Sequence, residues 1–182
     1  MRLNPVSESE LASLKKLVNN LFGSKVFEKI QSRFRIYKSS NFKAFFLIEA
    51  GNKLLNELAL IFESIYSIGC PFIELHRNTP IINLAAIQVI SPLTSNKIQI
   101  TDKAIQLLIY GRDIFNNSII KFEKPLDKNH HVIITDSEGR AYGMGKLLYS
   151  CEEFKKLPGT TVVIKNILDV GFYLRCEKQA LK

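Results

Sequence analysis

The sequence predicts an α+β protein of two domains. Residues 1–93 are expected to form an N-terminal α/β domain with a mostly antiparallel sheet and flanking helices, and residues 94–182 a C-terminal β pseudo-barrel. Three observations carry this prediction. The first half mixes helical and strand periodicities with connections too short for parallel crossovers. The second half holds one short helix and then several short strands separated by regular turn signals, the pattern of a small barrel. Between them "SPLTSN", residues 91–96, reads as a linker.

In the first half, "SESE" at residues 7–10 is a capping box, in which a serine and the glutamate three later satisfy free N–H groups at a helix start. Leu11, Leu14, Val18 and Leu21 follow at helical spacing, and Gly23 is placed to end the helix. "RFRIY" at 33–37 alternates as a strand does, and "KAFFLIE" at 43–49 is a second strand after the turn residues "SSN". Leu54, Leu58, Ile61, Phe62 and Ile65 outline another helix, stopped near Gly69. Two further apolar runs, "PFIELH" and "IINLAAIQVI", are separated by "RNTP".

In the second half, a helix over residues 102–110 is capped by Thr101 and ended by Gly111. "SIIKFE", "HVIITD", "YGMGKLLYS" and "TVVIKNI" are then four short strands, with turn chemistry at "NN", "DKNHH", "DSEG" and "LPG".

Composition narrows the function. Hydrophobic residues make up 46% of the chain, yet no apolar run approaches the ~20 residues of a membrane helix. The N-terminus lacks the apolar stretch of a secretory signal. Cys70, Cys151 and Cys176 are widely spaced and odd in number, which predicts reduced intracellular thiols. The net charge of +8 favours a polyanionic partner, above all nucleic acid. Each half contributes equally: residues 96–182 hold 14 Lys/Arg against 10 Asp/Glu, and residues 1–95 hold 11 against 7. Charge alone therefore does not choose the binding half.

The chemistry of catalysis is missing from the sequence. His76, His130 and His131 have no companions at metal-ligand spacing, and no nucleophile motif is present. The expectation is a chain that is not an enzyme and carries no metal or cofactor. One stretch, "YGMGK" at 142–146, resembles the start of a phosphate-binding loop. The full pattern requires further glycines or a hydroxyl directly after the lysine, and neither is there. The better parse is a hairpin, with Gly143 and Gly145 inside its second strand, where glycine marks a bulge or a close approach of backbones.

Taken in order, "LLIYGRDIF", "HVIITDSEGRAYGMGKLLYS" and "TVVIKNILDVGFYLR" resemble the PUA domain, a pseudo-barrel that binds RNA. That resemblance implies that Gly143 and Gly145 let a barrel strand bend and lie against its neighbours. It also implies that the loop ending the helix (Tyr110, Gly111 and Arg112) meets RNA. With "MRLNPVSESE", "SIGCPFIELHRNTPIINLAAIQVISPL" and "DVGFYLRCE", nearly the whole chain is similar to the Nip-seven family of large-subunit ribosome-biogenesis factors, which pair an α/β domain with a PUA domain. The lysine-, isoleucine- and asparagine-rich composition suits an archaeal member. Such a member is expected in the cytoplasm, whereas a eukaryotic one would be nucleolar or nuclear.

The resemblance implies binding of pre-ribosomal RNA by the second domain and docking of the first on other assembly proteins or on the precursor, away from membranes. Arg140, Lys146, Lys155, Lys156 and Lys165 are the candidate phosphate contacts beside the helix-ending loop, against the plainer reading of solvated surface. Lys155 and Lys156 are the firmest, because a basic pair follows the "YS" of this motif in family members. Tyr110, Phe115, Tyr142 and Tyr173 are candidates to stack on bases or, alternatively, to pack in the barrel. Arg175 is read as a structural clamp on Asp169, and Arg33 and Arg35 as one solvated strand face with Tyr37. The second functional class kept open is an RNA-modification enzyme or accessory subunit with its site in the first domain.

Overall fold

The computed structural model describes residues 3–39, 43–49, 68–77, 79–172 and 174–175. The helix predicted through Leu54, Leu58, Ile61, Phe62 and Ile65 lies outside the described residues, as do Tyr173 and Cys176. The chain divides into two compact units, Met1–Asn20 with Ser24–Leu93, and Leu21–Gly23 with Thr94–Lys182.

The described residues of the first unit hold a five-stranded antiparallel sheet in the simplest possible order, each strand beside its sequence neighbour. Its strands are β1 (Leu3–Pro5), β2 (Arg35–Ser39), β3 (Ala44–Ile48), β4 (Cys70–His76) and β5 (Thr79–Ile82). Central β3 is buried along its whole length, as its unbroken "AFFLI" requires. Helix α1 (Glu8–Phe22) begins with the capping box: the Glu10 N–H donates to Ser7 Oγ at 3.3 Å, and the Ser7 N–H donates back to Glu10 Oε2 at 3.1 Å. Leu14 and Val18 are buried one turn apart. Gly23 follows with φ +102°, a conformation open to glycine at little cost.

Two predicted elements in this unit are corrected. The strand expected from residue 33 begins at Arg35, because Val26–Arg33 forms a helix, α2, that buries Val26, Phe27 and Ile30. Those three apolar positions repeat at i, i+1 and i+4, a helical face in a segment whose polar residues mask it. Arg33 and Arg35 therefore do not share a strand face; Arg33 ends α2 and pairs with Glu49 at 2.6 Å. The run "IINLAAIQVI" also divides. Ile82 closes β5, and Asn83 caps a new helix, α3 (Leu84–Ile90), by accepting the Ala85 N–H at 2.9 Å.

The described residues of the second unit form a six-stranded, curled sheet with a helix packed against it. Its strands are β6 (Lys97–Ile100), β7 (Ile114–Phe115), β8 (Ile119–Phe122), β9 (His131–Thr135), β10 (Ala141–Leu147) and β11 (Val162–Asp169), with helix α4 at Asp102–Ile109. The order is β7-β11-β10-β9-β6-β8, and among the described residues only the β6–β9 contact is parallel. β6 and β7 are absent from the sequence prediction; both are short and gain their identity from distant partners. Ile98, Ile100, Leu108, Val132, Ile134, Leu147, Val163 and Ile164 fill the interior at 2% exposure or less. Fully burying one such side chain contributes about 1.5–3 kcal/mol, so eight form a core of their own.

Candidate nucleic-acid interface

Helix α4 ends in a Schellman motif. The Gly111 N–H donates to the Leu108 carbonyl at 2.7 Å and the Arg112 N–H to the Leu107 carbonyl at 3.1 Å, with Gly111 at φ +82°. The next carbonyl, of Ile109, accepts from the Arg175 guanidinium. Arg175 also lies on the buried Asp169 through two parallel hydrogen bonds of 2.8 Å each. Asp169 in turn accepts the Gly171 N–H at 2.8 Å and the Asn166 side-chain amide at 2.9 Å. The helix end is thus tied to β11 and to the closing segment by one polar network.

This network leaves the outer side of the loop free. Tyr110 is 74% exposed, and Gly111 and Arg112 are also exposed. Beside them Arg112, Asp113, Leu107, Phe115 and Val162 line a groove of about 420 Å³. An exposed aromatic ring next to a guanidinium offers a base a stacking face and its phosphate a partner. Asp113 does not face that role unengaged, since it accepts the Asn166 backbone N–H at 2.8 Å.

Gly143 and Gly145 lie inside β10, and the strand register slips beside each of them. A Cβ on Gly143 would sit 2.4 Å from the Leu168 carbonyl oxygen, and one on Gly145 would sit 2.4 Å from Ile164 Cγ2. The glycines serve close strand approach and bulging, not a phosphate loop.

The candidate cations fall in three places. Lys146 and Lys165 are directly opposed on β10 and β11. Lys155 and Lys156 are exposed on the 3-10 turn Glu153–Lys156. Lys155 edges a pocket of about 480 Å³ together with Lys124, over Phe122, Cys151 and Phe154. The neighbouring Glu153 is occupied in capping this turn, accepting from the Ser150 N–H at 2.7 Å and hydroxyl at 2.8 Å, and these bonds hold its carboxyl below the usual range. Arg140, in the β9–β10 turn, is differently placed. It pairs with buried Asp136 at 2.7 Å and with Glu138 at 3.0 Å, so two carboxylates already answer its charge. The structure therefore brings Arg112, from the loop it shares with Tyr110 and Gly111, together with Phe115, and Lys146 with Lys165, but leaves Arg140 in a turn of its own.

Residues 96–178 match the family model described as the UPF0113 PUA domain. The C-terminal unit is a PUA domain. Such domains generally bind RNA. A curated relative, the UPF0113 protein of Archaeoglobus fulgidus, is 30% identical over 86 residues, covering 47% of this chain and 49% of that protein. The match thus spans about half the length of the relative.

Three solved structures share the architecture along most of the chain. A PUA-domain protein of Aeropyrum pernix K1 in complex with tartrate has a TM-score of 0.65 and 10% identity, covering 98% of this chain and 91% of that one. A hypothetical protein of Pyrococcus horikoshii OT3 has a TM-score of 0.60 and 12% identity, with coverage of 92% and 94%. A conserved PUA-domain protein of Thermoplasma acidophilum has 0.58 and 12%, with coverage of 93% and 95%. At such identity these likenesses concern the fold.

Two features of the PUA domain are missing from the sequence reading. Leu107 and Val162, which wall the groove beside Phe115, carry no signal, because they come from a helix and a strand 55 residues apart. His131 opposes Lys146 in the β9–β10 hairpin. The turn by itself would set Gly145 opposite His131; the register slip between Ala141 and Gly143 brings Lys146 there instead, so the pairing depends on the bulge and not on the "DSEG" turn alone.

Among the described residues no group of three or more His, Cys, Asp or Glu is placed to hold a metal ion. Cys70 and Cys151 are free thiols, and burial pushes both above the ordinary thiol range, away from the thiolate that a nucleophile needs. No described helix is long and apolar enough to cross a membrane.

Proposed function

We propose that this chain is a non-enzymatic RNA-binding factor of ribosome assembly, acting on the large-subunit precursor. The PUA domain holds pre-ribosomal RNA, single-stranded or structured, through phosphate contacts and the loop that ends α4. The first unit docks on assembly proteins or on the precursor itself. The observation that carries the reading is the outer side of the Tyr110–Arg112 loop. Its backbone is locked from within by Arg175, while Tyr110 and Arg112 remain exposed beside the Phe115 groove. A rigid loop presenting an aromatic ring and a guanidinium suits an RNA strand with little ordering cost.

The assignment to large-subunit assembly, and to an archaeal cytoplasm, rests on the similarity of the sequence motifs to the Nip-seven family. Crosslinking of bound RNA in cells, followed by sequencing, tests it. Enrichment of large-subunit precursor RNA is expected, and enrichment of transfer RNA alone would sink the ribosomal assignment. Incubation of labelled RNA with the purified protein tests the absence of catalysis: a modified or cleaved product would replace this reading with an enzymatic one.

A further inference from the structure

Strand β10 runs antiparallel to both of its neighbours, β9 and β11, and the register sets His131 opposite Lys146 and Lys146 opposite Lys165. Directly opposed residues share a face of the sheet, so three basic side chains form one row running across the strands. With strands about 4.8 Å apart, the row spans about 10 Å. Like charges directly opposite one another destabilise a sheet. Neither lysine is relieved by an ion pair among the described residues.

The surrounding charges give the row no internal counter-ion. The groups acting on the His131 imidazole are Lys146 across the strand pair and His130 beside it; burial first, and then these two charges, press its pKa below the usual value. Across the parallel contact, Lys97 is taken up by Glu123 at 2.9 Å. Asp127 lies in the turn that its backbone N–H makes with His130 Nδ1 at 3.0 Å. Beyond Lys165, Asp113 is engaged with the Asn166 N–H.

We propose that His131, Lys146 and Lys165 form a phosphate-binding row for an RNA backbone, and that RNA binding there takes up one proton onto His131. The inference rests on the RNA-binding reading above and adds a site outside the helix-ending loop, with its own pH dependence. In free protein burial first, and then the cationic neighbours, favour the neutral imidazole. A phosphate laid along the row reverses the sign of the local potential and favours the imidazolium. The proton comes from solvent and remains on the ring while the phosphate is bound.

The probe is oligouridine titrated against the full chain. Affinity should rise about fivefold as pH falls from about 8 to about 6, because proton uptake is linked to binding. Calorimetry in two buffers of different ionisation enthalpy should give a net uptake of a fraction of a proton near neutral pH, a reading that needs no variant. His131→Gln or His131→Asn should lose the rise in affinity between about pH 8 and about pH 6. Lys146→Gln and Lys165→Gln should each reduce the salt slope by about 0.7. Equal heats in both buffers, or a pH rise that survives both histidine substitutions, would overturn the row. Oligouridine binding that depends on Lys155 and Lys156 but not on the row would overturn the row and leave the RNA-binding reading intact. No binding of RNA at any pH would overturn both.

Discussion

Arg175 and Asp169 face each other through two parallel hydrogen bonds of 2.8 Å, with the carboxylate 2% exposed and the guanidinium 34%. The same guanidinium reaches the Ile109 carbonyl at the end of α4. It packs so closely beneath Gly111 that a Cβ there would lie 3.1 Å from Arg175 Cζ. The pair is a structural clamp, and the loop it supports is the part of the PUA domain that faces outward. Removing the guanidinium with Arg175→Leu leaves Asp169 buried with only its N–H donors. The expected cost is about 3 kcal/mol, at the low end for a broken buried pair because Arg175 is a third exposed. Urea unfolding of the full chain measures it, and a loss below about 1 kcal/mol would mean the pair is no more than a surface contact.

The glycines of β10 separate two kinds of constraint. Gly143→Ala drives a Cβ into the Leu168 carbonyl, and Gly145→Ala into Ile164, each at 2.4 Å. Gly139 has φ +81° but open space around it. Gly143→Ala should cost most, about 3 kcal/mol, because backbone cannot turn aside, and Gly145→Ala somewhat less. Gly139→Ala should cost about 1–2 kcal/mol, the strain of a left-handed L-residue. Thermal unfolding of the three variants gives the order. Gly139→Ala as the most damaging would refute the close-approach account.

Phosphate contact predicts a salt dependence. Reversing Lys155 and Lys156 to glutamate should weaken binding to many RNA sequences alike and lower the salt slope by about 1.4, or roughly 0.7 for each phosphate lost. Both side chains are exposed, so folding should survive. Reversal of Lys16 and Lys103, also exposed and without an ion pair among the described residues, changes net charge identically. Filter binding at several salt concentrations separates the cases; equal losses from both pairs would mean that only overall charge matters.

Acid should find a specific weak point in the first unit. The Lys15 ammonium, hydrogen-bonded at 2.8 Å, is the largest influence holding Glu28 down at about 2 from its ordinary 4.5. A carboxylate depressed in the folded state contributes stability that is fully present above its unfolded value and is lost as pH falls through the folded one. The contribution of Glu28 should therefore be intact above pH 4.5 and gone near pH 2. Glu28→Gln should lower the unfolding midpoint at neutral pH, and the difference from the parent should close across that window. A difference independent of pH would assign the effect to packing.

Much of the local structure follows from the sequence by itself, because its causes lie within a few residues. The capping box of Ser7 and Glu10, the helix stop at Gly111 and the "DSEG" hairpin are each set by groups that meet across one turn. Part of the site is legible for the same reason: Tyr110, Gly111 and Arg112 are adjacent, and the hairpin places Lys146 on its second strand. Other outcomes belong to the tertiary structure. The short strands β6 and β7 exist because β9 and β11 offer them backbone partners, and two or four residues have too little propensity to form a strand alone. "IINLAAIQVI" is apolar at eight of its ten positions, so its division at Asn83 depends on where β4 ends its pairing with β5. Arg175 joins Ile109 across 66 residues, and Phe115 shares a groove with Leu107 and Val162, contacts made only once the sheet has curled around α4. Short-range hydrogen bonds are written in residue order, whereas a groove or a clamp is a meeting of distant segments whose geometry the packed core alone supplies.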